Sequence, residues 1–164
     1  MTRTWGRRTD SVARTLEVFS DPWTFVVLRE SYFGLRRFED FARSLDISRD
    51  VLTKRLNHLV ENGIFERRKY QDKPGRFEYR LTEKGLDMYP VFVTMMRWGD
   101  TWLDAGEGPP LWLVHRRCAH RTAPVVICGH CSEPLRARDM SYAHGPGANV
   151  SAEGLPEITP QDPA

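Results

Sequence analysis

The sequence predicts a mainly α-helical fold with a small β-hairpin wing, followed by a separate zinc-ribbon-like β segment. Three observations carry this. Apolar residues recur at helical spacing through most of residues 11–104. The stretch Arg36–Gly85 runs short helix, tight turn, helix, strand, basic tip, strand. Behind the break Ala105–Pro110 lie His115-x-x-Cys118 and Cys128-x-x-Cys131. The helix, turn, helix and hairpin order is that of a winged helix-turn-helix, which aims one helix at a DNA groove and a hairpin at the phosphates beside it.

The elements follow in order. Val12, Leu16 and Phe19 share one face of a first helix, with Ser11 as a candidate N-cap. Asp21-Pro22 is an N-cap followed by proline at the first helical position, and it opens a second helix whose apolar run, Trp23 to Leu28, predicts a buried central element. A third helix covers Arg37–Leu45, with Phe38, Phe41 and Leu45 facing a core. Asp46-Ile47-Ser48 is the turn, and Ser48 caps a fourth helix running to Glu61. Val51, Leu52, Leu56, Leu59 and Val60 turn inward there, and Asn62-Gly63 stops it. Strands Ile64–Tyr70 and Phe77–Leu81 flank a Pro-Gly tip, and Thr82 caps a long last helix, Glu83–Asp104, bent at Pro90.

That last helix carries two apolar stripes. Leu86, Tyr89, Phe92, Val93, Met96 and Leu103 form one; Met88, Val91, Met95, Trp98 and Trp102 form the other. One stripe suffices to cover a small domain, so two imply burial on both sides and a homodimer through helices 11–20 and 83–104. The predicted organisation is residues 1–104 for DNA binding and dimerisation, 105–144 for the Cys/His segment, and a disordered tail over 145–164.

Charge alone excludes little. Lys and Arg total 24 against 22 Asp and Glu, but Arg36–Arg80 holds 12 basic and 8 acidic residues, a local excess suited to phosphate. No apolar run reaches the roughly 20 residues of a membrane span. The N-terminus lacks a secretory signal, and three cysteines make no even disulfide framework, so a cytoplasmic setting is expected. No phosphate-binding glycine loop, nucleophile elbow or HExxH helix is present, and no enzyme is predicted.

Candidate DNA-binding residues are assigned by position. Ser48, Arg49, Asp50 and Thr53 stand at the N-terminal end of the reading helix, with Lys54 and Asn57 one turn on. Arginine reads guanine and asparagine reads adenine through paired hydrogen bonds. Lys73 and Arg76 at the wing tip, and Arg36 and Arg37 before the third helix, suit phosphate contacts. The plainer alternative is a solvated helix face. A second alternative is a dimeric protein-interaction module with a structural zinc segment that has lost specific DNA reading.

These residues also carry a family resemblance. Asp21-Pro22-Trp23-Thr24, Leu28-Arg29, Gly34-x-Arg36-Arg37-Phe38, Ile47-Ser48, Val51-Leu52-Thr53 and Arg55-Leu56 belong to the pattern. So do Gly63-Ile64-Phe65-Glu66-Arg67, Glu78-Tyr79, Leu81-Thr82-Glu83-Lys84-Gly85 and Trp98-Gly99. Over residues 10–104 the chain resembles the HxlR family of bacterial regulators, a winged-helix group related to the MarR type. The resemblance implies a homodimer reading a two-fold related operator in double-stranded DNA. Many members carry a cysteine before the first helix, in some a redox sensor; here Asp10 stands in its place, which removes thiol sensing at that position.

The remaining chemistry lies in the C-terminal segment. Two x-x-spaced pairs of soft ligands suit the two knuckles of a structural Zn²⁺ site formed by His115, Cys118, Cys128 and Cys131, with His120 or His130 as alternatives to His115. Such a metal would let a segment too small for its own core fold. Cys128-Gly129-His130-Cys131 also matches the active tetrapeptide of protein disulfide isomerases, but Ser132-Glu133-Pro134 leaves no room for the long helix that chemistry needs. A small-molecule effector could occupy an aromatic cleft involving Trp23, Phe92, Met96 or Trp98, although core and dimer packing use the same residues.

Overall fold

The structure is a computed structural model that describes residues 11–71, 75–141 and 145–147. Asp10, Lys73 and most of the predicted tail lie outside the described residues. The chain divides into two compact units, residues 1–89 and 90–164. The division falls at Pro90, so most of the long last helix groups with the C-terminal segment.

In the first unit the helices are α1 (Ser11–Phe19), α2 (Pro22–Tyr32), α3 (Phe38–Leu45) and α4 (Arg49–Glu61). Strands β1 (Phe65–Gln71) and β2 (Arg76–Leu81) follow, then the short α5 (Glu83–Asp87). The caps are those the residue types dictate. Asp21 accepts from the Trp23 N–H, Ser48 from Val51 and Thr82 from Gly85. The turn between α3 and α4 is reversed by Asp46 in the left-handed region (φ 48°). Gly63 (φ 68°) ends α4 in the same region, at low cost because it lacks a Cβ.

The core is a single cluster. Val27 and Leu28 of α2, Phe41 and Leu45 of α3, and Leu52, Leu56 and Leu59 of α4 meet Ile64, Phe65 and Tyr79 of the hairpin. Each buried leucine contributes about 1.5–3 kcal/mol. The predicted all-round burial of α2 is not found. Trp23 is partly exposed at its start, while Thr24, Glu30 and Ser31 are buried polar residues. Glu30 explains itself: its carboxylate accepts from Arg29 and from Ser44 Oγ (2.7 Å), tying α2 to α3.

Three polar ties hold the inner side of α4. Arg55 meets Asp21 (3.0 Å), whose other carboxylate oxygen caps α2. His58 Nε2 donates to the Val18 carbonyl (2.9 Å), and Lys84 Nζ donates to the carbonyl of Asn62 just past the helix end (2.8 Å).

The hairpin is antiparallel, pairing Phe65 with Leu81 through Lys69 with Phe77, and its register shifts between Lys69 and Gln71. Arg37 adds a bridge to Glu78 on the outer edge of β2, and the Tyr79 N–H donates to the Arg36 carbonyl (2.7 Å). The approach to α3 is thus tied to the edge of the two-stranded wing by one isolated bridge and this hydrogen bond. At its base, Thr82 N–H and Oγ1 donate to the carbonyls of Ile64 and Gly63. A Cβ on Gly85 would sit 2.4 Å from the Ile64 carbonyl oxygen, so only glycine lets α5 approach that closely.

The predicted single helix from Glu83 is two helices. Pro90 has no N–H for the carbonyl four residues earlier, and the chain breaks at Met88 before α6 (Tyr89–Trp102) starts afresh. On α6 Phe92 and Val93 are buried, whereas Val91, Met95, Trp98 and Trp102 are about half exposed or more. The second unit continues with β3 (Leu113–His115) paired to β4 (His120–Thr122), then a bridge between Ile127 and Pro134 and a 3₁₀ turn at Ala137–Asp139. Among the described residues no helix is long and apolar enough to cross a membrane.

Candidate nucleic-acid interface

The outward face of α4 carries Arg49, Asp50, Thr53, Lys54 and Asn57, all exposed, above the buried Leu52, Leu56 and Leu59. Each is held differently. Ser48 spends its hydroxyl capping the helix, and Thr53 Oγ1 donates back to the Arg49 carbonyl (2.7 Å). Among the described residues, Lys54 and Asn57 have no side-chain partner, so their polar atoms are free to meet base edges or phosphates.

Arg49 is not free. Glu39 of α3 holds it at both oxygens (3.0 and 2.6 Å), and its guanidinium lies 4.8 Å from the Phe38 ring centroid. The hydrogen bond from Arg49 keeps the Glu39 carboxyl below its ordinary range, aided by the charges of Arg43 and Arg76, and the same bond raises Arg49. Sequence reasoning missed this clamp. The two residues are ten positions apart across the turn, a spacing that no helical periodicity marks.

The wing supplies a second cationic surface. Arg76 is exposed where β2 begins and contributes to the field at Glu39. Arg37 stacks over Tyr70 (4.7 Å to the centroid) and Arg67 over Phe77 (4.4 Å), so aromatic rings hold both guanidinium groups along the hairpin. Arg80 pairs with Glu78 instead (2.6 Å). Arg36 is exposed beside Arg37. Reading helix, wing and the Arg36–Arg37 bridge therefore gather in one unit the described residues assigned to DNA.

In the second unit the predicted ligands form two pairs. His115 Nδ1 lies 3.3 Å from Cys118 Sγ. Cys128 Sγ accepts from the His130 N–H (3.4 Å), and its thiol is drawn below the usual range by the Cys131 N–H, then by the His130 N–H and the Cys131 side chain. His120 pairs with His115 in the strand register, and His130 offers Cys128 its backbone. Among the described residues no three His, Cys, Asp or Glu side chains gather as one cluster. In the stretch Val125–Ile127, Ile127 forms an isolated bridge to Pro134. A groove of about 260 Å³ inside this unit is lined by Met96, Arg97, Trp112 and Pro124 among others. That is below the roughly 300–1,000 Å³ typical of small-molecule sites.

A capped helix with its polar face exposed, and a cationic hairpin bridged to the approach to α3, are the parts of a helix-turn-helix transcriptional regulator, and the comparisons give that class rather than an enzyme. The chain belongs to the HxlR-like helix-turn-helix family, whose model matches residues 18–107. An uncharacterized HTH-type transcriptional regulator of Mycobacterium tuberculosis is 46% identical over 138 residues, 84% of this chain and 87% of the relative. Among solved structures, PA1607, assigned as a transcription factor, matches with TM-score 0.76 and 30% identity over 84% of this chain and 96% of its own. The redox regulator HypR in its reduced form matches with TM-score 0.55 and 32% identity over 60% of this chain and 98% of its own. The first two similarities extend well past Asp104 into the Cys/His segment.

Proposed function

We propose that this protein is a homodimeric regulator that reads a two-fold related operator with a pair of α4 helices and grips flanking phosphates with its wings. The observation that carries the reading is the unpartnered pair Lys54 and Asn57 on the exposed face of α4, beside the basic hairpin. Asn57 and a released Arg49 would supply base discrimination, while Lys54, Arg76, Arg36 and Arg37 would supply phosphate contacts. Dimerisation is supported by the half-exposed Val91, Met95, Trp98 and Trp102 of α6, and by Val12 and Leu16 on α1.

The test is a salt-resolved binding titration on DNA recovered by genome-wide capture. Asn57→Ala should cut discrimination between operator and random DNA about five- to 150-fold. Arg76→Ala should weaken both and lower the slope against log salt by about 0.9. Trp98→Asp should shift the protein to monomer in sedimentation and lose tight operator binding. Weak, salt-insensitive binding by the native protein, unaltered by either substitution, would restore the protein-interaction module.

A further inference from the structure

From Leu111 to Ser141 no residue is buried, and only Leu113, Pro124, Cys128 and Met140 are even half-buried. Trp112, Val114, Val125, Val126 and Ile127 are each more than half exposed. Ordering such a segment costs about 1.5 kcal/mol per residue, and here no apolar core offsets it. A cross-link or a covering partner has to offset that cost.

The backbone indicates which. After Cys118 the chain turns through Ala119 (φ 56°), and after Cys131 through Ser132 (φ 62°), two of four non-glycine residues in the left-handed region among those described. The two turns close alike. The Ala119 N–H donates to the His115 carbonyl (2.8 Å), and the Ser132 N–H donates to the Cys128 carbonyl (2.9 Å). Each left-handed residue costs about 1–3 kcal/mol and persists only where the surroundings demand it. Both follow directly on the second member of an x-x-spaced pair, and in the second turn an N–H already points at the first sulfur.

We propose that these turns are the two knuckles of one tetrahedral Zn²⁺ site ligated by His115 Nδ1 and the sulfurs of Cys118, Cys128 and Cys131. With Zn–S near 2.3 Å and Zn–N near 2.0 Å, a tetrahedral N···S edge is about 3.5 Å. The 3.3 Å between His115 Nδ1 and Cys118 Sγ is close to that edge, whereas His120 and His130 show no such placement against a sulfur. Among the described residues no three of these side chains gather as one cluster, so on this proposal the metal would draw the two pairs together. Binding takes three thiolates and one neutral imidazole, so each thiol still protonated releases its proton to solvent. The proposal is independent of the DNA-reading assignment.

The test uses the full chain, purified without added metal and kept reduced. Elemental analysis should find about one zinc per chain, and Co²⁺ exchange should give the intense visible absorption of a tetrahedral thiolate site. Cys118→Ser and Cys128→Ser should each lower zinc affinity at least tenfold, and His115→Ala should do the same while His120→Ala does not. Native-like circular dichroism and cooperative urea unfolding would show that each variant's winged unit is folded. Amide exchange over residues 111–141 should be slow with zinc and fast after chelation. Under half an equivalent of zinc with no tetrahedral Co²⁺ spectrum would overturn the proposal. So would protection that survives chelation, since a second copy or another partner would then be holding the segment. Loss of metal in His120→Ala but not in His115→Ala would overturn the ligand set.

Discussion

Glu39→Gln tests whether the reading surface restrains itself. In the free protein Glu39 takes two guanidinium nitrogens of Arg49, so DNA can recruit Arg49 only by displacing that carboxylate. Both side chains are about two-thirds exposed, 65% and 63%, so water and salt screen the pair and its hold is weak enough for DNA to overcome. The carboxamide keeps the shape and removes the charge. Operator binding should tighten by about two- to five-fold at low salt. If the released Arg49 meets a phosphate, the slope of log affinity against log salt should steepen by about 0.9. Fluorescence anisotropy of a labelled operator at several salt concentrations reads both quantities. The double variant Glu39→Gln/Arg49→Ala should bind no better than Arg49→Ala alone. A gain that survives in that background would refute the clamp and leave only a general charge effect. The pH sign is fixed as well. The Glu39 carboxyl is held low, so the pair is intact at neutral pH and is lost only as pH falls through that lowered value. Mild acidification should therefore not mimic the substitution.

Two predictions concern the frame behind the reading face. Gly85→Ala would place a methyl 2.4 Å from the Ile64 carbonyl oxygen and 2.9 Å from Leu81 Cδ2, and should cost about 1–3 kcal/mol in urea unfolding; a loss under about 0.5 kcal/mol would show that the junction yields freely. Tyr32 donates to the Gly85 carbonyl (2.7 Å), and burial first, then Tyr89, raises its hydroxyl to about 12. A raised folded value gives stability that is complete below the unfolded value of 10.0 and is lost as pH rises through the folded one. Tyr32→Phe should flatten the decline in stability over that alkaline window, and an unchanged decline would refute the assignment.

The parts that could be read from the chain are those governed by neighbours in sequence. Asp21-Pro22, Ser48, Asn62-Gly63 and Thr82 mark helix ends because caps act within three residues. Phe41, Leu45, Leu52, Leu56 and Leu59 show their burial through period alone. The x-x spacing of the ligand pairs likewise foretells two turns. What stays hidden is decided between elements. The Glu39 clamp on Arg49, the Arg37 bridge to Glu78 and the stacking of Arg67 on Phe77 each need two elements placed before they exist. Pro90 is visible in the sequence, but whether it bends or breaks the helix depends on how α5 packs against Ile64 and Leu81 at Gly85.

The three polar ties to α4 fall at Arg55, His58 and Asn62, the i, i+3, i+7 spacing of a single helical stripe. They act as an index pin. Leucines alone would let the helix roll by a few degrees at little cost, because apolar contact has no preferred direction. Hydrogen bonds to α1, to the start of α2 and to α5 fix its azimuth and so fix which side chains point outward. A signal that alters DNA affinity then has no inexpensive way to swivel the reading helix inside its unit. On the proposed dimer it would have to act on the winged unit as a whole, by changing the span or tilt between two such units, or on side chains of the outer face, as release of Arg49 would.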